Sequence, residues 1–292
     1  MKPALFDYIR ALTLDDALQA LVAADGGGKV IAGGQSLVPM MNFRLVSPSV
    51  LVDINLIEEL NFIQELPDGG VRIGALTRHH TLSTSELIKR RYPVLHEAMK
   101  HVAHVAIRNR GTIGGSLSHA DPAAELPTMT LLLDATIHVV SPRGPREIPA
   151  AEFFFGPLSA DLEEDEIVTQ IDLAPPVKNA GWAFDEFSRR TGDFGLAAVG
   201  VVLGHAAGRV SEARIGLLGV GDTPLRAYEA EELLQGSDCS EAVIEQVVAS
   251  VRAFVEPTSD LHASADYRRH LVGVLVDKNV RQAWRRAIGD ES

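Results

Sequence analysis

Hydrophobic and polar positions alternate in two ways along the chain, and the two halves differ in which prevails. Leu14, Ala17, Leu18, Leu21 and Val22 recur at helical spacing behind Thr13-Leu14-Asp15-Asp16, a segment with the form of a capping box. Gly26-Gly27-Gly28 ends that helix, and the short apolar run Val30-Ile31-Ala32 predicts a buried strand, with another at 50–54. A small β-α-β unit over roughly the first sixty residues follows. Runs at 62–66 and 71–74 flank Pro67-Asp68-Gly69-Gly70, a hairpin signal that opens a second α+β unit. Within it the pattern predicts helices at 93–101 and from 125 to 132, and strands at 135–140 and 167–173.

Pro175-Pro176-Val177-Lys178-Asn179 disfavours both helix and central strand and marks the best boundary. Beyond it, strand-like runs at 182–188, 196–203 and 214–220 predict a three-stranded antiparallel sheet. Two helices follow. One carries Val243, Ile244, Val247, Val248, Val251, Phe254 and Val255 on one face, the other Val272, Val276, Val280, Ala283, Trp284 and Ala287. Such stripes are ordinary core faces. The expected class is α+β.

Composition narrows the function. The chain has 292 residues, 46% hydrophobic and 23% charged, with ample volume for two domains. Its net charge of -12 disfavours a nucleic-acid partner, which draws on clustered Lys and Arg. It leaves a small anionic cofactor open, because exposed charges are screened over roughly 8 Å. The single cysteine, Cys239, excludes an intrachain disulfide and a cluster held by four thiolates of this chain; it is expected at a surface or helix start. No apolar run reaches the ~18 residues of a membrane span, and the N-terminus lacks a signal-peptide core, so a cytoplasmic protein is expected. His101 and His104 stand three apart on a possible helix, with His119 nearby, but no Cys or His motif supports a metal site.

Two glycine-bearing segments carry the candidate chemistry: Ala32-Gly33-Gly34-Gln35-Ser36 and Thr112-Ile113-Gly114-Gly115-Ser116. Paired glycines permit positive φ and leave no Cβ to block a ligand, and successive amides in such turns can form an anion-binding nest. Alone, each segment reads equally as a tight turn. Neither is a G-x-G-x-x-G fingerprint or a P-loop. Gly114-Gly115-Ser116-Leu117-Ser118 approaches a hydrolase nucleophile elbow, with Ser116 or Ser36 as nucleophile, but lacks its last glycine.

The longer stretches Ala32 to Pro39 and Arg108 to Pro127 resemble the two FAD motifs of the flavin-binding medium subunit of molybdenum hydroxylases, the carbon monoxide dehydrogenase and xanthine dehydrogenase family. The resemblance continues through Arg189 to Phe194, Gly219 to Ala227 and Ser264 to Leu271, in order along nearly the whole chain. It implies a two-subdomain FAD-binding domain of the p-cresol methylhydroxylase type at 1–177, with subdomains near 1–57 and 58–177, and a CO dehydrogenase flavoprotein-like domain at 178–292. It also implies non-covalent FAD, with Ala32, Gly33, Gly34, Gln35, Ser36 and Leu37 facing Thr112, Ile113, Gly114, Gly115 and Ser116 across the pyrophosphate. Glu125 takes the position of a carboxylate near the cofactor, and Asp121 could do the same work. Phe184 takes that of an aromatic against the isoalloxazine, and is equally plausible core. Asp185-Glu186 stand where some relatives carry lysine. Arg189, Arg190 and Asp193 read as a charged turn, either a clamp near the flavin edge or a solvated ion pair.

The function implied is electron transfer, from the iron–sulfur clusters of a small subunit through this chain's FAD to an external acceptor. Substrate would be oxidised at a molybdenum–pterin centre on a large subunit, the complex forming a dimer of heterotrimers. No catalytic acid, base or nucleophile is then required here. The alternative is a self-standing FAD-dependent oxidoreductase with its own substrate.

Overall fold

The computed structural model describes residues 2–290; positions 1, 291 and 292 of the expected domains lie outside them. The first unit contains β1 (Asp7–Arg10), α1 (Leu14–Ala23), β2 (Gly28–Ile31), α2 (Leu37–Asn42) and β3 (Val50–Asp53). The capping box is present: Thr13 Oγ1 accepts from the Asp16 amide at 3.1 Å, and Asp16 accepts from the Thr13 amide at 2.9 Å. The three strands form a parallel sheet in the order β1-β3-β2. β1 escaped the sequence pattern because it is an edge strand exposed along its whole length, so no alternation marks it.

The second unit begins with the expected hairpin, β4 (Ile63–Glu65) and β5 (Val71–Gly74). Short helices follow: α3 (His79–Thr84), α4 (Glu86–Arg91), α5 (Pro93–Ala98), α6 (Val105–Arg108), α7 (Ile113–His119) and α8 (Glu125–Leu132). Then come β6 (Thr136–Ser141), β7 (Gly144–Pro149), α9 (Ala150–Phe153), the small pair β8 (Phe154–Gly156) and β9 (Ser159–Ala160), and β10 (Ile167–Leu173). The main sheet is antiparallel in the order β4-β5-β10-β6-β7. The helix expected at 93–101 stops at Ala98, so His101 lies beyond it and His104 caps α6; the two do not share a helix.

The last unit comprises β11 (Ala180–Ser188), β12 (Gly195–Ala206), β13 (Arg209–Leu218), β14 (Leu225–Arg226), α10 (Tyr228–Leu234), α11 (Glu241–Phe254) and α12 (Ala265–Ile288). The three expected strands are antiparallel neighbours, but β14 pairs with β13, so the sheet has four strands rather than three. A two-residue strand has no periodicity to read. Cys239 lies just before α11 with φ 53° and is buried, not on the surface.

β12 is buried on both faces from Gly195 to Gly204. α12 covers one face: the Asn279 side-chain amide donates to the Val199 carbonyl at 2.7 Å. α8 serves the other, where Leu132 and Met129 meet Gly200. α8 is buried throughout from Leu126 to Leu132, as befits a helix without a polar side. Phe184, Ala198, Val202 and Leu218 of this sheet join the core of the second unit, so the two units share an apolar interior.

Candidate functional site: a junction of two glycine segments

The first segment leaves β2 and turns at Gly34, whose φ of +71° is a conformation L side chains rarely adopt. Its chain then winds into α2, with the Val38 amide donating to the Gly34 carbonyl at 3.1 Å and the Met40 amide to that of Ser36. The Gln35 side chain folds back and donates to the Gly33 carbonyl at 2.9 Å. Among the described residues, the amides of Gly33, Gly34, Gln35 and Ser36 have no protein acceptor. Successive unengaged donors around a left-handed glycine have the character of an anion nest.

The second segment is different. Thr112 is the N-cap of α7, its hydroxyl accepting from the Gly115 amide at 3.2 Å, so Ile113 to Ser116 form a helical first turn rather than a loop. The Ile113 amide donates to the Thr77 carbonyl at 3.1 Å, that of Gly114 to Ala75 at 2.9 Å, and that of Ser116 to Thr112 at 3.0 Å. These donors are committed within the protein. Two symmetrical nests are therefore absent, and the second segment contributes close packing and a helix start. A Cβ on Gly114 would lie 2.6 Å from the Ala75 Cβ. At Gly115 it would meet only the Thr112 hydroxyl, at 2.8 Å.

The two segments touch. A Cβ built on Gly33 would fall 2.4 Å from the Arg110 carbonyl oxygen and 2.9 Å from the Gly111 Cα. Glycine at 33 is thus what lets the β2 turn lie against the backbone entering α7. Side chains cross the same seam. Asn55 donates from its amide to the Ala32 carbonyl at 2.8 Å, and Arg78 donates from Nη2 to Asn55 Oδ1 at 2.7 Å and from Nη1 to the Arg110 carbonyl. Behind it, His79 is buried with both ring nitrogens unpartnered, and burial holds its pKa down to about 4.

Glu125 stands one helix further on, at the first position of α8. Burial pushes its carboxyl up to about 8, and the negative charge of Glu186 adds to the shift. Glu186, on β11, is raised to about 7 by burial, and its Oε2 is buried without a partner. Two carboxyls from different units therefore face a poorly solvated region that Arg108 only partly offsets. Phe184 is not brought to the glycine segments. It is 6% exposed, lies with the shared core, and meets His101 edge-to-face at 5.3 Å.

The charged turn forms no ion pair among the described residues. Arg189 Nη1 lies 3.1 Å from His262 Nδ1, and Gly192 sits over the His104 ring. Neither Ser36 nor Ser116 hydroxyl engages a histidine or carboxylate among the described residues, so the arrangement offers no activated nucleophile. The remaining motif segments act as joints: the Gly219 amide donates to the Pro122 carbonyl at 3.1 Å, and Arg268 Nη1 donates to the carbonyls of Leu196 and Gly219. Asn55 and Arg78 were missed in the sequence. No pattern marks them there: Arg78 follows Thr77 and precedes His79-His80 in a polar stretch.

Comparison with known proteins agrees along the whole chain. Residues 4–176 match the family described as the FAD binding domain in molybdopterin dehydrogenase, and residues 182–283 the CO dehydrogenase flavoprotein C-terminal domain. The chain is 43% identical over 290 residues to the 6-hydroxypseudooxynicotine dehydrogenase complex subunit alpha of Paenarthrobacter nicotinovorans, covering 98% of this chain and 97% of that one. It is 35% identical over 286 residues to the carbon monoxide dehydrogenase medium chain of Hydrogenophaga pseudoflava, covering 98% and 99%. A solved structure of carbon monoxide dehydrogenase from that organism, lacking the Mo-pyranopterin moiety of its cofactor, superposes with a TM-score of 0.95 at 36% identity, over 98% of this chain and 99% of that chain. No helix among the described residues is long and apolar enough to cross a membrane. This chain belongs to the FAD-binding medium subunits of the molybdenum hydroxylases, the family of carbon monoxide and xanthine dehydrogenases.

Proposed function

We propose that this chain binds FAD non-covalently across the seam between its first two units, and relays electrons from a small iron–sulfur subunit to an external acceptor. The observation that carries the reading is the run of unengaged amides from Gly33 to Ser36, held against the backbone of Arg110 and Gly111. A dinucleotide's pyrophosphate is an anion that such donors suit, each hydrogen bond to a charged group contributing on the order of 1.5–3 kcal/mol. Ala32 to Leu37 form one wall. Thr112 to Ser116 form the other, the open side of Gly115 admitting close approach. Glu125 serves the ribityl or ribose hydroxyls, and Phe184 supports the isoalloxazine end from within the core.

When bound, FAD supplies the redox chemistry; the protein supplies orientation, electrostatics and exclusion of water. Burial raises the carboxyls of both Glu125 and Glu186, so this end of the site carries less negative charge near neutral pH than its sequence suggests. On this proposal residues 1–177 are an FAD-binding domain of p-cresol methylhydroxylase type, divided near 57, and residues 178–292 a second domain. Iron–sulfur clusters and molybdenum–pterin belong to partner subunits, in a dimer of heterotrimers. Carbon monoxide, purines, aldehydes, N-heterocycles and acyl-CoA thioesters are all compatible as substrates of the complex.

Native purification tests the reading. The expected product is yellow, brings two companion chains, and releases all its flavin on denaturation. A yellow chain that is alone and oxidises a substrate by itself supports the self-standing oxidoreductase, and a colourless chain that takes up no FAD refutes both.

A further inference from the structure

Arg78 is a half-buried guanidinium with no carboxylate partner. It contacts the carbonyl of Arg110, which precedes the second glycine segment, and Asn55 Oδ1; Asn55 in turn holds Ala32, where the first segment starts. The nearest acid, Asp53, is already engaged by the Tyr8 hydroxyl and by both the backbone and side-chain amides of Asn55. Arg108 spends its Nη1 on the carbonyls of Val102 and Ala103, at 2.8 Å each. Among the described residues, none of Arg78, Arg108 and Arg110 makes an ion pair. Burial and the Arg110 charge outweigh the attraction of Asp53 and hold the Arg78 pKa below the ordinary guanidinium value.

That clustering is unusual in a chain of net charge -12, where acids are plentiful. A neutral amide could have bridged the same two acceptors without the cost of burying a charge. We propose that Arg78 is a positioning residue that supplies the local positive charge for the phosphate-bearing half of the dinucleotide, while latching the two glycine segments together. Its neighbours then make sense: the Asn55 amides occupy Asp53, whose carboxylate acts on the guanidinium through space and forms no ion pair with it. The inference rests on the FAD reading above, but adds a residue to it and a reason for that residue's charge.

The test is a titration of the full chain, stripped of flavin, with FAD at 50 and 500 mM salt, read by flavin fluorescence. Wild type should bind FAD and weaken at high salt, since the proposed contact is one between charges. Arg78→Met should bind roughly ten- to a hundredfold more weakly at low salt, the span of one charge-assisted contact, and lose much of the salt dependence. Arg78→Lys should retain the salt dependence with intermediate affinity, keeping the charge but not the fork. Wild-type affinity in Arg78→Met overturns the proposal. So does weakened binding with undiminished salt dependence, which marks a latch alone. Should Arg78→Met not fold, Arg78→Gln keeps an amide donor for the same acceptors and removes only the charge. It must then reproduce weak, salt-insensitive binding, and wild-type behaviour in it overturns the proposal. A wild-type chain that binds no FAD at any salt refutes the underlying reading instead.

Discussion

Replacing Gly33 with alanine perturbs the seam by one methyl group. φ at Gly33 is not in the left-handed region, so backbone strain plays no part and the effect is steric. The new Cβ would sit 2.4 Å from the Arg110 carbonyl oxygen, about 1 Å short of the 3.4 Å at which ordinary contact begins. The opposing atoms are backbone and cannot rotate away, so the segments must separate. Overpacking of this kind costs about 1–3 kcal/mol. If separation removes one or two of the hydrogen bonds that span the pyrophosphate, binding weakens by roughly 1.5–3 kcal/mol for each. Each 1.4 kcal/mol is about a factor of ten, so FAD affinity should fall at least tenfold. The assay is fluorescence titration of the flavin-free protein, with a melting curve on the same sample. Gly156→Ala is the control, since nothing lies within 4 Å of its Cβ and its φ is ordinary. Wild-type affinity and melting temperature in Gly33→Ala would refute the contact between the two segments.

Other outcomes follow from the same geometry. Gly34→Val, at φ +71°, should abolish flavin retention while leaving far-ultraviolet circular dichroism largely intact. Ser36→Ala should weaken FAD binding by only about one hydrogen bond to a charged group, roughly 1.5 kcal/mol, in the same titration. Asn279→Ala removes the donor to the Val199 carbonyl in the interior and should cost about 1–3 kcal/mol, seen as a melting temperature lower by several degrees. Glu125 and Glu186 have raised pKa values, so the folded protein binds more protons than the unfolded chain between the ordinary carboxylate range and about 8. Stability of the flavin-free protein should therefore fall as pH rises from 5 to 8, and Glu186→Gln should flatten that decline. An unchanged slope in this variant would show that Glu186 is ionised throughout.

Much of this architecture was legible because its elements carry their own signals. The capping box at Thr13 and the hairpin around Pro67-Asp68-Gly69-Gly70 are local devices, and the structure contains both. The long strands of the last sheet announced themselves by strand-like runs, the most continuous of them the apolar stretch of β12. β1 and β14 did not, because one is an exposed edge and the other too short for any period. The glycine segments were found, but their division of labour was not. Whether an amide is free depends on what lies opposite it, and the carbonyls of Ala75 and Thr77 that occupy the second segment come from another stretch of chain. The same holds for Asn55 and Arg78, whose roles exist only where two units meet. Phe184 shows the converse: a strand residue reads equally as a flavin contact or as core until its neighbours are known, and here it packs in the shared core beside His101.

The most direct test of the central claim is an experimental structure of the chain with FAD bound. The expected result is a pyrophosphate within hydrogen-bonding distance of the amides of Gly33 to Ser36, with the start of α7 opposite. A pyrophosphate lying elsewhere, with those amides turned to solvent, would contradict it.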